Sequence, residues 1–97
     1  MTHLFPNDIR ERLLENGRIR QQLKRDGRYE PDFVPVVKLF TAGGYRIWLL
    51  TELDPDAPDI GFGLSVSGKG FPELESVSIS KIEAACALLG FALERDV

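Results

Sequence analysis

Residues 47–63 read IWLLTELDPDAPDIGFG. The stretch begins as an apolar run around Trp48, passes through a segment with two prolines and several carboxylates, and returns to an apolar run punctuated by glycines. Two apolar runs of strand length, separated by a short polar segment, are typical of neighbouring antiparallel strands. We therefore predict strands over residues 45–53 and 60–66, joined by a loop over residues 54–59.

The two faces of the second predicted strand, residues 60–66, differ in the size of their side chains. Gly61 and Gly63 alternate with Phe62 and Leu64, so one face is bare and permits the close approach of a backbone, a helix or a ligand. Three further strands and two turns follow from the same kind of pattern. Strands are predicted at residues 34–40, 71–79 and 91–95, and turns at residues 41–44 and 67–70.

Helices are predicted near both ends of the chain. Over residues 7–26, apolar side chains recur with helical spacing, and Asn16-Gly17 interrupts the pattern. We predict two helical segments that meet at this interruption. Ser80 and Glu83 form a capping box that starts a C-terminal helix, and Gly90 sits where a left-handed cap ends it.

This order predicts a single α+β domain over residues 1–97. An antiparallel sheet of about four to five strands carries the N-terminal helix, or helix pair, and the C-terminal helix on one face. The opposite face is then free to bind another molecule.

Composition narrows the class of protein. The chain has 97 residues, a net charge of −3 and one cysteine, Cys86. No apolar run is long enough to span a membrane, and the N-terminus lacks the pattern of a signal peptide. A single cysteine cannot form an internal disulfide, which favours a cytoplasmic setting. The acidic balance disfavours non-specific binding to nucleic acid.

Several segments together resemble a known family. They are residues 36–41 (VVKLFT), 48–55 (WLLTELDP), 60–64 (IGFGL), 70–74 (GFPEL), 77–78 (VS) and 93–96 (LERD). In combination they resemble domain-of-unknown-function family 2958, whose members are small single-domain proteins common on bacterial plasmids and conjugative elements. The resemblance implies a bacterial cytoplasmic setting and an association with mobile DNA. It implies no catalytic residues.

The carboxylates around the first loop form the main candidate site: Glu52, Asp54, Asp56 and Asp59. Oxygen ligands in this number could bind a hard cation, although no glycine or closing glutamate has the spacing of a calcium loop. A solvated acidic loop is the plain alternative. Among functional interpretations we favour an acidic surface that contacts a basic protein partner.

A basic run on the N-terminal helix is the alternative site. It comprises Arg18, Arg20, Lys24, Arg25 and Arg28. Contact with phosphates of a nucleic acid is the functional interpretation. A solvated helix face, with Glu15 and Asp26 as local partners, is the plain one. Residues 1–28 carry seven basic and four acidic side chains, whereas the rest of the chain carries five and eleven.

Trp48 and Cys86 are predicted to be core residues. Strict alternation along the strand places Trp48 on one face with Arg46, Leu50 and Glu52. An exposed Trp48 would instead be a binding hot spot. Cys86 falls on the apolar stripe of its helix, where a thiol is inert.

No motif of an enzyme, metal site or cofactor site is present, and the single histidine, His3, lies far from Cys86 in sequence. We therefore expect no enzyme activity and no cofactor. The sequence favours a non-enzymatic module that binds a host or element-encoded protein. Inhibition of a host defence nuclease, of the anti-CRISPR or antirestriction type, is one form this could take, with carboxylates standing where the nuclease expects phosphates. The alternative is a nucleic-acid-binding accessory protein.

Overall fold

A computed structural model describes residues 4–28, 33–41, 46–67, 70–90 and 92–96. In chain order the elements are α1 (Asn7–Arg25), β1 (Val37–Thr41), β2 (Arg46–Asp54), β3 (Ala57–Ser67), β4 (Glu73–Ser78), α2 (Ile79–Leu89) and β5 (Leu93–Asp96). The strands form one antiparallel sheet in the order β4-β3-β2-β1-β5. The predicted α+β fold, with its N-terminal and C-terminal helices, is confirmed.

α1 is one continuous helix, so the predicted break at Asn16-Gly17 is wrong. Gly17 lies against the edge of β2, where a Cβ atom would stand 2.0 Å from the Leu53 carbonyl oxygen. The Asn16 side chain donates to the Thr51 carbonyl at 2.9 Å. The two residues that weaken the helix locally are therefore the ones that fasten it to the sheet.

β2 contains a bulge that reverses part of the predicted pattern. Leu50 pairs with Gly63 and Glu52 pairs with Phe62, so Thr51 is an extra residue on β2. The Thr51 hydroxyl donates to the Phe62 carbonyl at 3.1 Å. Side chains beyond the bulge exchange faces, which puts Glu52 on the opposite face from Trp48. The prediction that these two residues share a face is wrong.

The predicted loop over residues 54–59 is also wrong, because only Pro55 and Asp56 form a turn. The Asp54 carboxylate accepts from the Asp56 amide at 2.9 Å, which closes the chain tightly enough for Ala57 to pair with Asp54. The register is irregular beyond this pair, where Pro58 cannot donate to the ladder.

α2 is capped two residues earlier than predicted, so the predicted capping box at Ser80 and Glu83 is wrong. Ser78 is the N-cap, and its hydroxyl accepts from the Lys81 amide at 3.3 Å. The helix ends at Gly90, with φ of 78°, so the predicted left-handed cap is confirmed. Of the turns predicted at 41–44 and 67–70, residues 42–44 and 68–69 lie outside the described residues, as does His3.

The hydrophobic core lies between the two helices and one sheet face. Its fully buried side chains are Leu13, Leu39, Leu50, Leu53 and Ile79. Phe5, just before α1, and Ile9 in its first turn extend the core. Burying one large apolar side chain stabilises the folded protein by about 1.5–3 kcal/mol, so this layer is the main source of stability. No helix within the described residues is long and apolar enough to cross a membrane.

Candidate functional site

The acidic loop and the basic helix predicted as separate sites are joined by an ion pair. Arg20 Nε donates to the two carboxylate oxygens of Glu52 at 2.5 and 2.7 Å. The Glu52 side chain is 5% exposed and that of Arg20 is 17% exposed. The Arg20 guanidinium also lies 4.9 Å from the centre of the Phe62 ring. Glu52 is therefore a buried residue of β2 and not part of a solvent-facing acidic loop.

This pairing also changes the predicted basic surface. Arg20 is committed to Glu52, and Arg18 lies 3.1 Å from Glu15 and 3.9 Å from Glu11. The remaining members of the run, Lys24, Arg25 and Arg28, are exposed at the C-terminal end of α1. The structure therefore leaves three of the five predicted nucleic-acid contacts exposed and close in sequence.

Asp54 and Asp56 are the exposed remainder of the acidic loop. Both carboxylates lie at the β2–β3 turn, and the Gln21 amide donates to Asp56 at 3.0 Å and to Asp54 at 3.4 Å. Gln21 thus holds the turn against α1 without neutralising its charge. Among the described residues, no group of three or more His, Cys, Asp or Glu side chains is placed to hold a metal ion.

Asp59 serves the start of α2. Its carboxylate accepts from the hydroxyls of Ser78 and Ser80 at 2.6 and 2.7 Å and from the Ser80 amide at 2.9 Å. The hydroxyl of Ser78, then that of Ser80, lowers the pKa of Asp59 below its ordinary value of 3.8. Although Asp59 is exposed, its acceptor capacity is used within the protein.

Trp48 and Cys86 are buried, at 5% and 7% exposure, as core residues should be. The exposed Trp48 that a hot spot requires is not present. The Arg46 guanidinium lies 5.0 Å from the centre of the Trp48 ring, on the side of the sheet that faces α2.

The sheet face opposite the helices carries a continuous apolar surface. We call it the open sheet face, and its residues are Phe40, Ile47, Leu49, Leu64, Val66 and Leu74. None of them belongs to the core cluster or packs against it. The first five are half-buried, as expected of side chains standing side by side on a sheet, and Leu74 is 68% exposed. Contiguous apolar surfaces of this kind commonly mark sites of interaction.

Register arranges the open sheet face in two rows that each begin with a carboxylate. One row runs across the sheet from Asp96 through Lys38, Leu49 and Leu64 to Leu74. The other runs from Glu94 through Phe40 and Ile47 to Val66. Glu94 and Asp96 are exposed on the edge strand β5. They border the apolar surface along β5, whereas Asp54 and Asp56 lie farther away, at the β2–β3 turn beyond the Glu52–Phe62 pair.

The sequence predicted that the sheet face opposite the helices is free to bind, but it did not identify the apolar side chains on that face. Gly61 and Gly63 face the core, where a Cβ on Gly61 would contact Leu50 and Ile79 and one on Gly63 would clash with the backbone of Leu49 and Leu50. The close approach predicted for these glycines is confirmed. The sequence signal for the open sheet face was the set that alternates with these glycines on the same strand, Leu64 and Val66.

These features define a small, single-sheet α+β protein with its helices on one side and an acid-bordered apolar surface on the other. The family model described as a protein of unknown function, DUF2958, matches residues 4–97, and the chain belongs to this family. Comparisons with curated proteins and with solved structures gave no match.

Proposed function

We propose that this protein is a non-enzymatic binding module whose open sheet face receives a protein partner. The observation that carries the proposal is the pair of cross-sheet rows, each with a carboxylate at its β5 end and apolar side chains beyond it. An apolar centre with a charged border is the usual composition of a protein-protein interface.

The chemistry of the partner follows from the border. Glu94 and Asp96 at the border are exposed carboxylates, as are Asp54 and Asp56 at the β2–β3 turn, and Lys38 is the cation placed among the rows. The Lys38 ammonium lies 5.1 Å from the centre of the Phe40 ring, so its charge is drawn over the apolar surface. A matching partner has an apolar ridge flanked by lysine or arginine side chains.

The cellular setting is part of the proposal. A single free cysteine suits the reducing cytoplasm, and the family resemblance suggests a bacterial mobile element. A host defence nuclease has the basic surface that such a partner requires. Mimicry of a phosphate backbone would rest on Asp54 and Asp56 alone at the turn, since Glu52 pairs with Arg20 and Asp59 binds the start of α2. We therefore favour docking on the open face over imitation of DNA.

The proposal is tested with matched variants by affinity capture from a bacterial lysate, one half of which is treated with nuclease. Leu49→Lys places a charge at the centre of the open face, and Leu88→Lys places the same charge on α2, where Leu88 is 87% exposed. We expect a partner to be retained by the wild type and by Leu88→Lys and to be depleted at least about tenfold by Leu49→Lys, a loss of 1.4 kcal/mol or more. Higher salt should weaken the interaction, because exposed charges are screened.

Two results would count against this function. A partner captured equally by Leu49→Lys and wild type would show that the open face is not the site. Recovery of nucleic acid in place of a nuclease-resistant protein would favour the alternative function, which rests on the exposed Lys24, Arg25 and Arg28. Circular dichroism of each variant shows whether it is folded.

A further inference from the structure

A cavity of about 440 Å³ lies between α2 and the helix-facing side of the sheet. It is independent of the open sheet face, from which the sheet itself separates it. Its volume is within the range of small-molecule binding sites. Its apolar walls include Trp48 and Val77 on the sheet and Ile82, Ala85 and Cys86 on α2.

The cavity exists because small residues face each other across it. On the sheet, the small residue Ser65 pairs with Trp48 in register and lies on the same face. On the opposite side, α2 presents Ala85 and Cys86. Because none of these side chains is long, the helix and sheet enclose space that larger apolar residues would have filled.

One wall of the cavity carries an arginine with an unused donor. Arg46 Nε is buried from solvent and has no hydrogen-bond partner within the described residues. A terminal nitrogen of the same guanidinium donates to the Ser65 hydroxyl at 3.1 Å. The ring of Trp48 supports the guanidinium from one side. Burying a charged group without full hydrogen bonding is costly, so this arrangement is suited to accept an anionic oxygen.

The other ionisable groups at the cavity leave a net positive charge. Lys81 and Glu75 also line it, so with Arg46 there are two cations and one carboxylate. The polar atoms of Thr41 and Ser78 are neutral. An anionic head near Arg46 and an uncharged apolar body along Trp48 and Ile82 would satisfy both parts of the lining.

We propose that this cavity binds a small monocarboxylic acid with an apolar body. The carboxylate accepts from the Arg46 guanidinium, whose side chain lines the cavity, and the apolar part occupies the space beneath α2. The Arg46 side chain selects the acid, because a neutral head group of the same size cannot form an ion pair with its guanidinium.

The test uses decanoate as the acid and 1-decanol as its neutral counterpart, both below micelle-forming concentrations. Trp48 is the only tryptophan, so its fluorescence reports directly on the cavity. We expect decanoate to change the fluorescence saturably, to raise the Tm, and to bind about tenfold or more tightly than 1-decanol. Decanoate should also protect the single cysteine, Cys86, from alkylation.

Two variants separate this site from unspecific association. Arg46→Met keeps the length of the side chain and should abolish the preference for the acid over the alcohol. Cys86→Leu adds volume inside the cavity and should weaken binding of both probes. Should Arg46→Met not fold, the comparison of acid and alcohol on the wild type still decides the question.

Three results would overturn the proposal. One is the absence of a saturable Trp48 signal with decanoate. Another is equal affinity of the wild type for the acid and the alcohol. The third is unchanged binding of both probes to a folded Cys86→Leu variant, which would place them elsewhere on the protein.

Discussion

Gly17→Ala is a substitution for which the sequence and the structure predict opposite effects on stability. In an exposed helix interior, Gly→Ala stabilises by about 1 kcal/mol. Here the added Cβ would stand 2.0 Å from the Leu53 carbonyl oxygen, about 1.4 Å short of ordinary van der Waals contact at 3.4 Å. It would also stand 3.0 Å from Pro55 Cδ and 3.1 Å from the Leu53 carbonyl carbon. The nearest atoms belong to backbone and a rigid ring, so α1 itself has to move.

That movement would strain two attachments of α1, the Asn16–Thr51 hydrogen bond and the Arg20–Glu52 ion pair. Overpacking commonly costs about 1–3 kcal/mol. With the attachments included, and the helical gain of about 1 kcal/mol subtracted, we expect Gly17→Ala to destabilise by about 2 kcal/mol. For a domain of this size the Tm falls by roughly 8–16 °C.

Thermal and urea unfolding followed by circular dichroism measure this effect. Gly70→Ala is the matched control, because among the described residues its added Cβ would meet only the rotatable Ser67 hydroxyl, at 2.9 Å. We expect the control to change stability by less than about 0.5 kcal/mol. A Gly17→Ala protein as stable as the wild type, or more stable, would refute the close approach of α1 to β2.

Three further predictions concern charge and core. Arg20→Met leaves the buried Glu52 carboxylate without its guanidinium, and urea unfolding should show a loss of about 3–5 kcal/mol; a wild-type midpoint would contradict this. Asp59 has a lowered pKa in the folded protein, so its stabilisation is present above its ordinary value of 3.8 and is lost as pH falls through the lowered value. Asp59→Asn should therefore be less stable than wild type at pH 7, with a gap that narrows below pH 3.8 in a pH series of Tm values; a constant gap would argue against the role of its ionised form. Leu50→Ala should cost about 2–5 kcal/mol in the same unfolding assay, because Leu50 is 1% exposed, and a smaller loss would indicate a looser core.

Much of the fold could be predicted from local patterns. Alternating apolar residues in β2 and β3, the stripe of α1 and the left-handed position of Gly90 are properties of neighbouring residues, and each was placed in the right element. The features that could not be predicted depend on contacts between residues that are far apart in sequence. Gly17 looks like a helix break until Leu53 is known to lie beside it, 36 residues away.

The candidate site likewise could be predicted only where it depends on local sequence. Residue type alone suggested that Glu52, Asp54, Asp56 and Asp59 form one acidic group. The structure gives them three roles, because Glu52 meets Arg20 and Asp59 meets Ser80 through tertiary contacts. The carboxylates of β5 could be assigned to the border of the open face only after the strand order placed β5 beside β1.

The bulge at Thr51 changes which alternate positions of β2 point toward the core. Before it, Trp48 and Leu50 point inward at even positions, and after it Leu53 points inward at an odd one. If the strand straightened without losing a residue, a carboxylate would enter the interior and a leucine would leave it. A one-residue slip against β3 is therefore opposed by charge burial and by apolar exposure together. The bulge that interrupts the β2–β3 ladder therefore also fixes its register. It lets one continuous strand place leucines in the core and the Glu52 carboxylate on the other face.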